Sequence, residues 1–234
     1  MKNFTLHTLL ALSVIVQACS SSVYNNTSYV NQKNFNGKTI AILPVDVQLT
    51  GKLPAGFSDS KKTISEESES KIIQNQIYSQ YLYKSKPGSR KKKQVSLLNV
   101  DEVNSKLNQL GIGVRESWEM SPDSLGKLLG VDLVLKIRVK KNRIMSETAS
   151  FGIGVATAVL GSILSNGTNQ NNSISGTAKT YNMYLDATLS EVLSHVVITK
   201  FSHEGNASWS QSPDEIIESS GRKIVRRGIL YAQK

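Results

Sequence analysis

Apolar residues along the chain alternate between runs with a period of two and stripes with the spacing of a helix. Ile40–Leu43, within Lys38–Val47, is a short continuous apolar run that suits a strand buried on both faces, and Pro44 ends or bends it. Gln48–Lys62 carries Gly, Pro and Ser and reads as a loop. Ile64–Tyr83 is helical by pattern, with Ile73, Ile77, Tyr81 and Tyr78 on one stripe and Glu66, Glu67 and Glu69 near its start, where the helix dipole favours acids. Val95–Val100 reads as a strand. Asp101 is placed to cap a helix carrying Val103, Leu107 and Leu110 that Gly111 closes. Ser121-Pro122-Asp123 opens another, with Ser as N-cap and Pro at the first helical position; Leu125, Leu128 and Leu129 form its apolar face and Gly130 ends it.

The second half is dominated by strands. Val131–Val139 alternates over its later part, and Thr180–Leu189 places Tyr181, Met183, Leu185, Ala187 and Leu189 on one face. Leu193-Ser194-His195 connects it as a hairpin to a strand at Val196–Phe201. Ser212-Pro213-Asp214-Glu215 repeats the cap-plus-Pro signal, with Glu215 set for a capping box, and the helix continues through Ile217, Ile224 and Gly228 to Tyr231. The order strand, helix, strand, helix, helix, three strands, helix predicts an α/β (α+β) domain, a mixed sheet with helices packed on it. Expected boundaries are a leader at residues 1–18, a polar Ser/Asn-rich flexible tether at 19–37, and one domain at 38–234 with an apolar Gly/Ala-rich insertion at 150–166.

Composition narrows the chemistry. The 234 residues hold 28 Lys+Arg, 18 Asp+Glu, 3 His and 1 Cys, and 39% of them are hydrophobic. A single cysteine excludes a disulfide framework and Cys-rich metal sites. His7, His195 and His203 are too scattered to suggest a metal centre. No GxSxG, HExxH or P-loop is present, and the glycines of Gly152–Ala158 lack the strand–helix context of a dinucleotide fingerprint. Asp46, Asp132 and Asp186 are dispersed, so paired-carboxylate chemistry has no basis. The expectation is a chain with no catalytic residues, no metal and no cofactor.

The leader changes the picture most. Lys2 is followed by a short apolar run, Leu9–Val16, too short for the ~20 apolar residues a spanning helix needs. It ends Val16-Gln17-Ala18-Cys19, which resembles the bacterial lipobox: an aliphatic residue, a tolerant position, a small residue, then Cys. The resemblance implies cleavage before Cys19 and a diacylglyceryl group on its sulfur, and two or more acyl chains give stable anchoring. Loss of residues 1–18 removes one cation, Lys2, and no acid, so the formal charge falls from +10 to +9. Ser20, where an Asp typically signals inner-membrane retention, and the absence of an acidic run after it imply the outer membrane and its periplasmic face.

Two stretches resemble a known domain type. Lys38–Val47 (KTIAILPVDV) is similar to the opening of the N-terminal domain of TolB and of curli-secretion-type lipoproteins. Leu128–Leu135 (LLGVDLVL) is similar to their helix, Leu-Gly-Ala-Asp, strand step, with Gly130 as left-handed cap and Asp132 polar at the strand mouth. The resemblance extends over about Lys38–Tyr231 and implies a TolB N-terminal-like fold and a non-enzymatic binding or assembly role in the cell envelope, or alternatively a subunit of an oligomeric curli-type secretion channel.

Two further stretches are candidate contacts. Arg90, Lys91, Lys92 and Lys93, with Lys84 and Lys86, form a basic loop that is either simply solvated or attracts an anionic envelope partner. A lipid-anchored protein would not meet nucleic acid. Phe151, Ile153, Val155, Val159 and Leu160 lie in a stretch without charge that fits a membrane-facing strand, a helix making close oligomer contacts, or a segment packed on its own domain. The expected partners are a membrane through lipid on Cys19, another envelope protein or anionic polymer, and a second copy of the chain.

Overall fold

The computed structural model describes residues 20–53, 56–84, 95–144, 179–208 and 213–227. The strands are β1 (Ser20–Asn25), β2 (Lys38–Ile42), β3 (Asp46–Gly51), β4 (Val95–Leu97), β5 (Leu133–Arg143), β6 (Lys179–Glu191) and β7 (Val197–Ser208). The helices are α1 (Thr27–Gln32), α2 (Asp59–Lys84), α3 (Val100–Gln109), α4 (Val114–Glu119), α5 (Pro122–Leu129) and α6 (Pro213–Arg227). The expected α/β class with a mixed sheet is what the chain forms. The sheet order is β1-β7-β6-β5-β2-β4, with β3 also alongside β5. β2, β3 and β4 join in parallel; the β5–β6, β6–β7 and β7–β1 pairs are antiparallel.

Pro44 explains why one partner strand, β5, has two neighbours on the same side. Ile42 pairs with Leu135 and Asp46 with Arg138, so the chain spends one more residue than β5 across this interval. Proline cannot donate to the ladder and tolerates such a bulge. The extra residue reverses the side-chain parity. Ile40, Ile42, Val45 and Val47 therefore all enter one core, while Ala41 and Leu43 enter the other. Ile40–Leu43 is fully buried, as a strand covered on both faces requires.

The larger core lies between the sheet and α2 with α6. Ile73, Ile77 and Tyr81 from α2, and Ile216, Ile217, Ile224 and Val225 from α6, meet Leu135, Ile137, Val139, Met183, Leu185, Ala187, Leu189 and Phe201. The smaller core packs α3 and α5 against β2 and the start of β5 through Val103, Leu107, Leu125, Leu129 and Val134. Ser121 caps α5 by accepting from the Ser124 amide, and Gly130 ends it at φ 72°, ψ 42°. Asp132 then accepts from the Thr39 amide at 2.9 Å, joining the mouths of β2 and β5.

Several expectations need correction. The flexible tether is not seen over its described part: Ser20–Asn25 is a strand whose six residues pair with β7, and α1 follows. Val23 packs on the larger core while Tyr24 beside it is exposed, and the polar Ser and Asn residues around them suit an edge strand. β3 runs to Gly51, inside the stretch read as a loop, because parallel pairing with β5 compensates for its polar outer residues. Asn99, not Asp101, caps α3, accepting from the Asp101 amide, and so ends β4 early. Leu110 and Leu128 are exposed rather than core. α4 was not anticipated, since its six residues show no helical stripe. α6 is described to Arg227, and the expected continuation to Tyr231 lies outside the described residues.

Candidate binding face

The sequence-derived site residues Cys19, Arg90, Lys91, Lys92, Lys93, Phe151, Ile153, Val155, Val159 and Leu160 all lie outside the described residues. The fold brings together a different set. Strand alternation that sends apolar residues of β5, β6 and β7 to α2 and α6 sends polar ones to the opposite face. Of the described helices, only α3, α4 and α5 reach that face, at its β2–β5 corner.

Registry orders this open face into rungs. Tyr24, Lys200, Thr188 and Lys136 form one; Ser22, Ser202, Asp186, Arg138 and Asp46 the next. Glu204, Tyr184, Lys140 and Gln48 follow, level with the backbone of Ser20, and Asn206, Asn182, Asn142 and Thr50 complete it. Tyr24, Tyr184, Lys140, Lys200 and Glu204 are exposed. Asp46 and Asp186, far apart in sequence, thus flank Arg138 on one rung.

The corner roofed by α4 is the most structured part. The Arg138 guanidinium lies with its central carbon 3.4 Å from the Trp118 ring centroid, and Lys136 Nζ lies 5.1 Å from it. Both distances are within cation–π range. Arg138 Nε donates to Asp46 Oδ2 at 2.5 Å, and Gln48 Nε2 donates to the same oxygen at 2.9 Å. Arg115 Nε, from α4, lies 3.5 Å from Asp46 Oδ1, and its guanidinium reaches Glu66 at 3.6 Å. Glu66 in turn accepts from the Leu49 amide at 2.7 Å on the free edge of β3. Asp46 is buried, so its charge is compensated by Arg138 and Arg115 rather than by water.

Lys136 is different. Its ammonium donates to the Met120 carbonyl at 2.7 Å, and among the described residues it has no carboxylate within ion-pair distance. Burial, and then the neighbouring Arg138 charge, draw its pKa below the ordinary lysine value. Lys136 and exposed Lys200 flank Thr188 on one rung. That arrangement suits an anionic or hydrogen-bonding partner laid across the sheet. No group of three or more His, Cys, Asp or Glu converges as metal ligands among the described residues. No described helix is long and apolar enough to cross a membrane.

A second polar cluster lies at the far end of the sheet, at Glu191, which is 1% exposed. Lys38, Tyr29 and Ser194 all hydrogen-bond its carboxylate, and Lys33 stands 3.7 Å away. Burial opposes ionisation, but hydrogen bonds from Lys38, Ser194 and Tyr29 and the Lys38 charge outweigh it and hold the carboxyl at about 2. Tyr29 belongs to α1, so this cluster ties the N-terminal arm to the β6–β7 turn. Neither cluster has a sequence motif, because its members lie far apart in the chain. The available signal was Lys136, Arg138 and Lys140 at alternate positions of a strand, which marks a polar outer face but names none of its partners.

No protein-family model matches the chain, and no curated protein sequence matches it. Among solved structures it is similar to Lipoprotein GNA1162 from Neisseria meningitidis, at 11% identity over 81% of this chain and 96% of that one, with a TM-score of 0.42. It is also similar to the PelC dodecamer from Paraburkholderia phytofirmans (9% identity, 88% and 95% covered, TM-score 0.36). A third is the LpoB C-terminal domain from Salmonella enterica (13%, 74% and 83%, TM-score 0.33).

Proposed function

We propose that this chain is a lipid-anchored, non-enzymatic binding module of the bacterial cell envelope, held at the periplasmic face of the outer membrane by acyl chains on Cys19. The observation that supports it most is that an open, polar, five-stranded face begins with β1, one residue after the lipobox cysteine. The lipid supplies location, and the face supplies recognition. Its chemistry is that of a recognition surface: cations on Trp118, a compensated Asp46, exposed tyrosines and a rung rich in Asn. The partner that suits Lys136 and Lys200 is an envelope protein or polymer presenting acidic or hydrogen-bonding groups.

The test is metabolic labelling with palmitate in cells, followed by membrane fractionation. The wild type should carry label and sediment with outer membranes. Cys19→Ser should lose the label and retain its leader. An unlabelled, freely diffusing wild type would remove the anchor and with it this function.

A further inference from the structure

We infer that the sheet end bearing Ser20, Tyr184, Lys140 and Thr50 is the surface that rests on the bilayer, with the β6–β7 turn pointing away from it. This rests on the proposed acylation of Cys19 and adds an orientation that acylation alone does not give. The argument is one of chain length. Ser20, the residue bonded to Cys19, is already the strand partner of Glu204, so no linker fits between the anchoring residue and the folded sheet. A lipid-bearing Cys19 must lie at headgroup depth, and the Ser20–Glu204–Tyr184–Lys140–Gln48 rung is fixed within one residue of it.

Neighbouring strands run past that rung in the same direction. β7 continues from Glu204 to Ser208, roughly 13 Å at the ~3.3 Å rise of a strand. β5 ends at Arg143 and β6 begins at Lys179 on the same side of the rung. The Glu191 end of β6 lies about 23 Å on the other side of the rung at the same rise. Two locks prevent the arm from acting as a tether: the full-length β1–β7 ladder, and the Tyr29–Glu191–Ser194 hydrogen bonds that hold α1. The chemistry of the near end suits headgroups. Tyr184 is 38% exposed, and Lys52 and Lys140 are exposed. Tyrosine favours the membrane–water interface, and lysines are attracted to anionic lipid. The Trp118 corner lies about 13 Å along β5 from the rung, measured from Lys140 to Lys136, on the side away from Cys19 and free for a partner.

The experiment uses the full-length lipidated protein reconstituted in phosphatidylethanolamine–phosphatidylglycerol vesicles. Acylation is first confirmed by mass. Single cysteines are introduced at exposed sites, Thr50→Cys and Glu204→Cys near the rung and Leu193→Cys at the opposite turn, and labelled with a fluorophore. Lipids carrying a nitroxide in the headgroup should quench the two near labels several-fold more strongly than the Leu193 label. Equal quenching at all three sites, or stronger quenching at Leu193, on an acylated protein would overturn the orientation and leave the anchor standing. Absence of quenching at every site would show that β1 leaves the sheet as a tether, which also overturns it. An unacylated mass would instead overturn the proposed function itself.

Discussion

Glu191 shows how one side chain fixes an arm. A buried carboxylate stays ionised only where its partners outweigh desolvation, and here Lys38, Tyr29 and Ser194 do so. Its pKa falls from the ordinary 4.5 to about 2 on folding. A carboxyl with a lower folded pKa contributes stability that is full above the unfolded value and is lost as pH falls through the folded one. The contribution therefore fades between about pH 4.5 and 2. Glu191→Gln keeps the shape but removes the charge that Lys38 faces. It should cost roughly 2–4 kcal/mol near neutral pH in urea unfolding. The gap between variant and wild type should close as the solution approaches pH 2. A gap independent of pH would show that the charge is not what matters.

At the scale of elements, close approach between α5 and β6 depends on a missing side chain. A Cβ at Gly126 would overlap the side chain of Val192, so the helix sits nearer the strand end than any other residue would permit. Alanine is the better helix former by about 1 kcal/mol, yet overpacking costs about 1–3 kcal/mol. Gly126→Ala should therefore destabilise the protein by about 1–2 kcal/mol in chemical denaturation. Val192→Ala should rescue it in a double-mutant cycle, because the two sites share one contact. A similar restriction stands at Gly51, where φ is +87° and a side chain would meet the Arg143 backbone, so β3 can turn away only with glycine there. Periodicity located most helices and strands because their buried stripes are long, as in Ile73, Ile77 and Tyr81. It missed α4, whose role is to deliver Trp118 and Arg115 to a sheet face rather than to fill a core.

For the whole molecule, β1 matters beyond its length. It occupies the edge of β7, which would otherwise present a long unpaired strand. Deleting residues 20–25 should lower stability by roughly 2–4 kcal/mol through lost ladder bonds and burial of Val23. It should also promote concentration-dependent association, because a bare edge templates pairing. Sedimentation at several concentrations measures the second effect. A truncated chain that remains as stable and as dispersed as the wild type would show that β1 is dispensable to the fold.

The α/β class, the break at Pro44, the α5 caps at Ser121 and Gly130 and the alternation of Thr180–Leu189 are legible in the order of the amino acids alone. Each is a local rule acting within a few residues: backbone freedom, missing donors, or side-chain period. The cysteine and leader also set the expectation of an anchor. Folding in three dimensions was needed to make residues 20–25 a strand, to set Asp46 and Asp186 on either side of Arg138, and to bring Tyr29 to Glu191. These depend on contacts between residues far apart in the chain. A polar segment such as Ser20–Asn25 has too little apolar surface to order itself, and it becomes a strand because β7 offers it a ladder.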